Sequence, residues 1–306
     1  MTAQVTAGID GSQESLAAAA WAARAAVLRE VPLRLVHVEE WPVTPEIPYQ
    51  LAAHHAERSS GLLRDVAEQA RKEHPGLEVT TEHQLGRVSG LLSAAADESD
   101  LTVLGSRGLG GLVGFLIGSV SLAVVGTSRT PVVLVRADGA AGADDKQTAD
   151  VASGTPTQAP RPESSPGGIL VGVDLGHPSE PVLAFAFAEA ARRGGTLRVL
   201  HSWTLPRPYA YAAVADPGIG ELRGQQVAQR LADAVRPWRA MYPGVHVTEE
   251  AVVGAPGPEL VKASRGAELL VVGRRKRKAR LGPHIGHVAH AVIHHCAAPV
   301  AVVPVG

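Results

Sequence analysis

Short apolar runs rich in β-branched residues alternate along the chain with longer segments in which apolar residues recur at helical spacing. In the first part of the chain this pattern predicts five strands: QVTAGID, LRLVHV, LEVTTEH, LTVLG and PVVLVR. Between them it predicts helices over residues 12–30, 54–74, 87–98 and 119–127, the first capped by Ser12. Such alternation indicates a doubly wound, five-stranded parallel α/β sheet that binds ligands at the carboxyl ends of its strands.

The same pattern occurs twice. The stretch VTAGIDGSQESLAAAAWAARAA near the start is echoed by ILVGVDLGHPSEPVLAFAFAEAA after residue 168. Asp10 and its counterpart Asp174 lie 164 residues apart, whereas Gly105 and its counterpart Gly273 lie 168 apart, which a four-residue insertion explains. The chain is therefore predicted to contain two tandem domains with the same fold.

Between the two copies the composition changes. Residues 138–166 are rich in Ala, Gly, Ser, Pro, Asp and Thr and nearly lack large apolar side chains, so they cannot bury enough surface to fold. We predict a flexible linker there, between a first domain over residues 1–137 and a second over 167–306. The apolar fifth strands of the two copies, PVVLVR and PVAVVPV, would be exposed sheet edges, and we expect them to pair with each other.

Net charge and cysteine content exclude some classes of protein. The 306 residues carry 29 Lys plus Arg against 30 Asp plus Glu, so no overall basic field argues for a nucleic-acid partner. A single cysteine, Cys296, excludes an internal disulfide framework, and the amino terminus lacks the pattern of a secretory signal. These features predict a cytoplasmic protein.

The segment from Gly105 to Ser119, GSRGLGGLVGFLIGS, contains six glycines and follows the predicted strand LTVLG. A membrane helix is not expected, because the matching segment of the second copy carries six cations between Arg274 and Arg280. An idle linker is not expected between an apolar strand and a helix. The remaining interpretation is a phosphate-binding loop, in which glycines adopt backbone conformations that a Cβ disfavours and a helix amino terminus adds its N–H groups.

Neither the P-loop nor the dinucleotide fingerprint fits this segment. Gly105, two residues, Gly108, nine residues and then Gly118-Ser119 resemble the G-2x-G-9x-G-[ST] motif of ATP-binding members of the universal stress protein family. The sequences AGIDGS and VGVDLG, VHV and VLH, GRVSGLL and GAPGPEL, and TPVVLV and APVAVV extend the resemblance along both copies. The chain is thus similar to tandem, actinobacterial-type universal stress proteins, whose fold is related to that of the adenine-nucleotide α-hydrolases.

This resemblance implies an ATP site in the first copy. Gly8 and Asp10 would lie beside the ribose and adenine, and the backbone of Val38 would meet the adenine edge. Asp10 would also help to position Mg²⁺, or alternatively would only cap its own turn. The phosphates would be held by Gly105, Ser106, Arg107, Gly108, Gly118, Ser119 and Val120, with Arg107 equally compatible with a solvated side chain.

The second copy departs from the motif. Lys276 stands where the first copy has its second motif glycine, and His287 replaces the serine. A weak second site could be formed there at most, by Asp174, Gly273 and Gly286. We therefore expect one ATP per chain. We interpret the basic loop that contains Lys276 as solvated, with a clamp that holds phosphates by charge as the alternative.

Histidines crowd the last predicted helix, at positions 284, 287, 290, 294 and 295. Metal binding is not expected there, because the chain has neither H-E-x-x-H nor C-x-x-C.

The sequence contains no recognisable catalytic constellation. It favours a nucleotide-binding stress or dormancy regulator that assembles as a homodimer. A slow ATPase or phosphotransferase and a nucleotide-free oligomerisation scaffold remain as alternatives.

Overall fold

A computed structural model describes residues 3–40, 49–106, 118–137, 167–204, 217–275 and 285–306. Several predicted features lie outside these ranges: the linker 138–166, the motif residues Arg107 and Gly108, Lys276 with most of its basic loop, and His284. No helix in the described ranges combines the length and hydropathy required to cross a bilayer.

The first half of the chain alternates strands and helices as predicted. Helix α1, Gln13–Arg29, begins where the Ser12 hydroxyl accepts a hydrogen bond from Ser15 N at 3.2 Å, and it ends at Glu30, whose φ of 57° is left-handed. Its buried face consists mostly of alanines, which let the helix lie close to the sheet. The elements are β1 Val5–Gly8, α1 Gln13–Arg29, β2 Leu33–Glu39, α2 Tyr49–Glu73, β3 Val79–Leu85, α3 Val88–Asp97, β4 Leu101–Gly105, α4 Ser119–Thr127 and β5 Val132–Val135.

The second half repeats this order. Its first helix has a proline in the first turn, where the missing N–H costs no hydrogen bond. The elements are β6 Ile169–Gly172, α5 Glu180–Arg192, β7 Thr196–Trp203, α6 Pro217–Met241, β8 His246–Val253, α7 Pro256–Ala263, β9 Leu269–Arg275, α8 His287–His295 and β10 Val300–Val305.

The two halves share one sheet. The ten described strands have the order β3-β2-β1-β4-β5-β10-β9-β6-β7-β8. Neighbours within each half are parallel, whereas β5 and β10 pair antiparallel, with Val133 opposite Ala301. The predicted pairing of the fifth strands is confirmed, and it relates the halves by a pseudo-two-fold axis.

Alternate residues of the strands belong to two apolar layers, one on each face of the sheet. Leu35 belongs to the layer under α1, α2, α5 and α6, while its neighbour Val36 belongs to the layer under α3, α4, α7 and α8. Each layer contains buried residues from both halves. The core therefore runs without interruption across the β5–β10 seam.

On one face of the sheet, a buried charge cluster joins the halves. Glu189 of α5 is fully buried, and its Oε1 lies 2.5 Å from Arg29 Nη2 of α1. Arg192 Nη1 and Arg193 Nη2 lie 3.0 and 3.6 Å from the same carboxylate. The Arg193 guanidinium also stacks over Trp21 of α1, 5.2 Å from the ring centroid.

On the other face, two arginines cross the seam in opposite directions. Arg274, which is 3% exposed, donates to the carbonyls of Gly126 and Ser128 at the end of α4. Arg136 donates to the carbonyls of Ile293 and His294 at the end of α8, at 3.0 and 2.9 Å. Burial lowers the pKa of both guanidinium groups, and each occupies the negative end of a helix dipole.

Candidate functional site

The strand order places a topological switch point between β1 and β4. The chain leaves β1 for β2 on one side, and β4 lies against β1 on the other. At such a point the loops after the two strands diverge and open a crevice at the carboxyl edge of the sheet. Gly8 and Gly105, both predicted site residues, end these two strands.

Asp10, two residues beyond β1, forms a tight turn at this crevice. Its Oδ1 accepts hydrogen bonds from Ser12 N at 2.9 Å and from Ser12 Oγ at 2.5 Å. Gly11 between them has a φ of +84°, which favours glycine. The Asp10 carboxylate is thus fixed in an Asx turn at the start of α1 while remaining exposed to solvent.

Gly105 is required by the packing of α1. A methyl carbon at this position would lie 2.7 Å from the carbonyl carbon of Glu14 and 2.8 Å from Ser15 N, and both are backbone atoms. At Gly8 the nearest atom to such a carbon would be a methyl of Leu104, at 2.6 Å. Close approach of α1 to β4 therefore gives Gly105 a structural role besides the one that the motif suggests.

The amino terminus of α4 lies at the end of β4. Gly118 is the N-cap residue. Among the described residues, no side chain makes a capping hydrogen bond to the first turn of α4. Ser119, the first helical residue, is exposed. Ser121 Oγ donates to the carbonyl of Gly105 at 2.9 Å, which fastens the first turn of α4 to the strand.

Ser121 was not singled out by the sequence motif. Its position two residues after Ser119 and its small hydroxyl side chain in an otherwise apolar helix were the only available signals. The second half has Ala289 at the corresponding place, so this bond between helix and strand has no counterpart there.

The expectation that Gly118 needs a conformation special to glycine is wrong. Its φ of −61° and ψ of 141° lie in the extended region that any L-residue can adopt. By contrast Gly286, its counterpart in the second half, has a φ of +87°. The glycine at position 118 thus keeps the helix start free of a side chain rather than permitting an unusual backbone.

The other predicted residues that the structure describes have different surroundings. Ser106 is buried, and its hydroxyl donates to the carbonyl of Val135 at 3.1 Å, so this side chain serves the fold. Val38 is a buried residue of β2, opposite Gln84 of β3. Val120 packs against the apolar layer under α4. Arg107 and Gly108 lie outside the described residues.

In the second half, an ion-pair cluster lies at the ends of β6 and β9. Asp174 Oδ1 accepts from Gly176 N at 2.9 Å, and its Oδ2 contacts His177 Nδ1 at 2.9 Å and the guanidinium of Arg275. Burial alone would raise the pKa of Asp174, but the Gly176 hydrogen bond, His177 and Arg275 outweigh it and lower that pKa. The counterpart of Asp10 is therefore engaged by Arg275 and His177 of its own half.

Gly273 in this half faces only side chains. A methyl carbon there would lie 3.0 Å from Val182 Cγ2 and 3.1 Å from Val305 Cγ2. Gly105 at the end of β4 and Gly273 within β9 thus meet different neighbours, backbone atoms of a helix in the first half and valine methyl groups in the second.

The first-half crevice has groups that suit a nucleotide phosphate. An exposed hydroxyl at Ser119 and the backbone N–H groups of the first turn of α4 can donate to phosphate oxygens at the positive end of the helix dipole. The exposed Asp10 carboxylate supplies the oxygen chemistry that Mg²⁺ prefers.

Comparison with known proteins identifies the family. The model of the universal stress protein family matches residues 1–136 and 168–304. A universal stress protein of Mycobacterium tuberculosis is 33% identical over 308 residues, which covers 97% of this chain and 96% of that protein. One from Mycolicibacterium smegmatis is 30% identical over 311 residues, covering 97% of this chain and 95% of its own.

The fold is also found among solved structures. The crystal structure of a universal stress protein from Archaeoglobus fulgidus superposes with a TM-score of 0.69 at 18% identity, and covers 99% of this chain and 98% of its own. The chain therefore belongs to the universal stress protein family, as a tandem member with two family segments in one polypeptide.

Proposed function

We propose that the first half binds one ATP per chain and that the protein acts as a nucleotide-dependent stress or dormancy regulator in the cytoplasm, without efficient turnover. The observation that carries the proposal is the start of α4, where Ser119 is exposed and the Ser121–Gly105 bond fastens the helix to the end of β4. This helix start opens at the β1–β4 switch point, on the same edge of the sheet as Asp10.

Charge and hydrogen bonding assign the parts of the nucleotide. The phosphates would lie at the amino terminus of α4, with Ser119 donating, because helix starts favour anions. Asp10, held in place by Ser12, would accept from a ribose hydroxyl or orient a phosphate-bound Mg²⁺. Val38 would border the adenine. The glycine motif from Gly105 to Ser119 supports the same assignment.

The contacts in the second half support a difference in ATP binding between the two halves. Asp174 is already bound by Gly176, His177 and Arg275, so a ribose there would have to displace an ion pair. His287 stands at the helix start in place of Ser119. We propose that any site formed by Asp174, Gly273 and Gly286 is weak or empty at ATP concentrations that saturate the first half.

The nucleotide content of the purified protein tests the proposal directly. The protein is denatured, and released nucleotides are separated by chromatography. Nucleotide-free protein is then titrated with ATP and Mg²⁺ by calorimetry. We expect a stoichiometry near one, with no ATP consumed at a rate of catalytic significance. Hydrolysis at such a rate would instead support the slow ATPase.

Matched substitutions identify the half that binds. Asparagine keeps the Asx turn but removes the charge, so Asp10→Asn should weaken ATP binding roughly tenfold or more, since hydrogen bonds to charged groups contribute about 1.5–3 kcal/mol. Asp174→Asn should leave it nearly unchanged. Gly118→Arg, which the ordinary backbone at that residue accommodates, should block the helix start and abolish most binding.

Three results would contradict the assignment: two equivalent sites per chain, ATP binding lost in Asp174→Asn alone, or no nucleotide binding at all. The last would favour a nucleotide-free scaffold. Light scattering on the same samples tests the expected homodimer.

A further inference from the structure

Two histidines and a glutamate converge in the first half, on the neighbouring strands β2 and β3. His37 and Glu39 lie two residues apart in β2 and so share one face of the sheet. His83 of β3 is the direct partner of His37 in the parallel register. The three side chains therefore meet at the carboxyl end of two edge-side strands, on the face covered by α2.

The ligand atoms of this cluster lie close enough together to share one metal ion. One ligand atom from each residue can be chosen so that all three lie within 4.8 Å of one another. His83 Nε2 is 3.4 Å from Glu39 Oε2, and the His37 and His83 rings stack with centroids 5.5 Å apart. Ligands about 2.0–2.2 Å from a tetrahedral Zn²⁺ lie about 3.3–3.6 Å from each other, so this pair needs little movement.

Two outer contacts orient the ligands. His37 Nδ1 donates to the carbonyl of Ile9 at 2.6 Å, which leaves Nε2 as the nitrogen that can coordinate a metal. Ser59 Oγ of α2 donates to Glu39 Oε2 at 3.1 Å. Metal-binding histidines and carboxylates commonly have such partners.

His83 provides an independent indication of a ligand. Its Nε2 is buried, and it makes no hydrogen bond with any described residue, although the Glu39 carboxylate lies close. Buried polar nitrogens are nearly always satisfied, so an atom of this kind calls for a partner. A metal ion between the three side chains would supply one.

The second half shows which part of the cluster belongs to the fold. His201 corresponds to His37, and its Nδ1 contacts the Val173 carbonyl at 2.9 Å in the same manner. Trp203 and Ala251, however, stand where the first half has Glu39 and His83. The histidine–carbonyl contact is thus common to both halves, whereas the complete set of three ligands occurs in the first half.

We propose that His37, Glu39 and His83 bind a divalent transition-metal ion of the Zn²⁺ class. Two imidazoles and one carboxylate suit such an ion better than Mg²⁺ or Ca²⁺, which prefer oxygen ligands. Three protein ligands leave the fourth position of a tetrahedral ion for water. None of the three residues is assigned to ATP, so the proposed metal site does not rest on the proposed ATP binding.

The competing location is the histidine-rich helix α8. The rings of His290 and His294 have centroids 4.3 Å apart, one turn along that helix. Two ligands from a single helix bind more weakly than three from two strands. The experiment must nevertheless distinguish the two places, because both could take up Zn²⁺.

Metal titration of the full chain distinguishes them. Chelator-treated protein without nucleotide is titrated with Zn²⁺ against a colorimetric competitor, and separately with Co²⁺, whose visible absorption is intense when tetrahedral. We expect one tight site per chain, weakened at least ~10-fold in His83→Ala and in the isosteric Glu39→Gln. The controls His201→Ala and His294→Ala should keep the tight site and its Co²⁺ spectrum.

Several outcomes would overturn the proposal. These are no Zn²⁺ binding by the wild type, tight binding unchanged in Glu39→Gln, or tight binding lost in His294→Ala but kept in His83→Ala. Circular dichroism shows whether each variant is folded. Should His83→Ala fail to fold, Glu39→Gln still decides, since it preserves side-chain size.

Discussion

Gly105 lies where the backbone of α1 passes the end of β4. Its place in the motif suggests a role in phosphate binding, yet its immediate neighbours are the backbone atoms of Glu14 and Ser15. Gly118, by contrast, has an ordinary backbone conformation and opens onto an exposed helix start. Glycines of one motif thus have different roles, one in helix packing and one in keeping the helix start open. Substitutions at the two positions can distinguish these roles.

Gly105→Ala should destabilise the fold strongly. The added methyl would lie 2.7 Å from a backbone carbon of α1, so the helix itself must shift, and overpacking of this kind costs about 1–3 kcal/mol or more. Urea unfolding of the purified variant measures the change.

Gly273→Ala is the matched control, because its methyl would meet only the side chains of Val182 and Val305, at 3.0 and 3.1 Å. We expect it to cost clearly less than Gly105→Ala. Equal losses of unfolding free energy in the two variants would show that the backbone of α1 shifts as easily as two valine side chains.

At the scale of an element, α4 differs from its counterpart α8 in how its first turn is attached. The hydroxyl of Ser121 reaches the Gly105 carbonyl at 2.9 Å, whereas α8 has Ala289 at that position. The start of α4 is therefore held in register with β4, where the proposed phosphate site requires donors in fixed positions.

Ser121→Ala should affect stability and ligand binding together. The lost hydrogen bond leaves the Gly105 carbonyl without this partner, which costs about 1–3 kcal/mol when the group is buried. We also expect weaker ATP binding by calorimetry, since a mobile first turn must be ordered again by the ligand.

Ser93→Ala serves as a comparison, because its hydroxyl contacts Thr127 at an exposed position near the other end of α4. That variant should retain wild-type affinity for ATP. If both variants bind ATP as tightly as the wild type, the attachment of the first turn has no bearing on the ligand.

At the scale of the whole molecule, the sequence was sufficient for the strands, the duplication and the pairing of the fifth strands. The strands follow from apolar periodicity, and the duplication follows from the self-similarity of the chain. The pairing follows because β5 and β10 are apolar runs that would otherwise be exposed sheet edges. The bond between Arg29 and Glu189 could not be foreseen, because ion pairs between side chains 160 residues apart leave no periodic trace.

The candidate site was predictable to a similar degree. The glycine motif indicated the crevice. The predicted conformation of Gly118 was wrong, however, and the motif did not indicate the role of Ser121. Both depend on how α4 packs on the strand, which no local pattern specifies. The cluster of His37, Glu39 and His83 likewise needed the register of β2 and β3, since more than 40 residues separate His83 from the other two in the sequence.

Removal of the charge at Glu189 should destabilise the joined halves. Glu189→Gln leaves Arg29, which is 7% exposed in its side chain, without its counter-charge, and breaking a buried pair costs about 3–5 kcal/mol. Thermal and urea unfolding monitor the loss.

Glu268→Gln is the control, because Glu268 also faces Arg193 but has a side chain 48% exposed. It should cost about 1 kcal/mol or less. A Glu189→Gln variant as stable as Glu268→Gln would mean that the burial of this carboxylate is offset by its own desolvation.

The two arginines that cross the seam stand at positions that do not correspond: Arg136 matches Pro304 of the second half, and Arg274 matches Ser106 of the first. In a homodimer of one such half, every substitution would appear on both sides of the interface at once. Fusion into one gene removes that restriction, so each mutation is tested by selection on one side alone. The seam can then improve, and one half can lose or gain ligands, without its partner being obliged to follow.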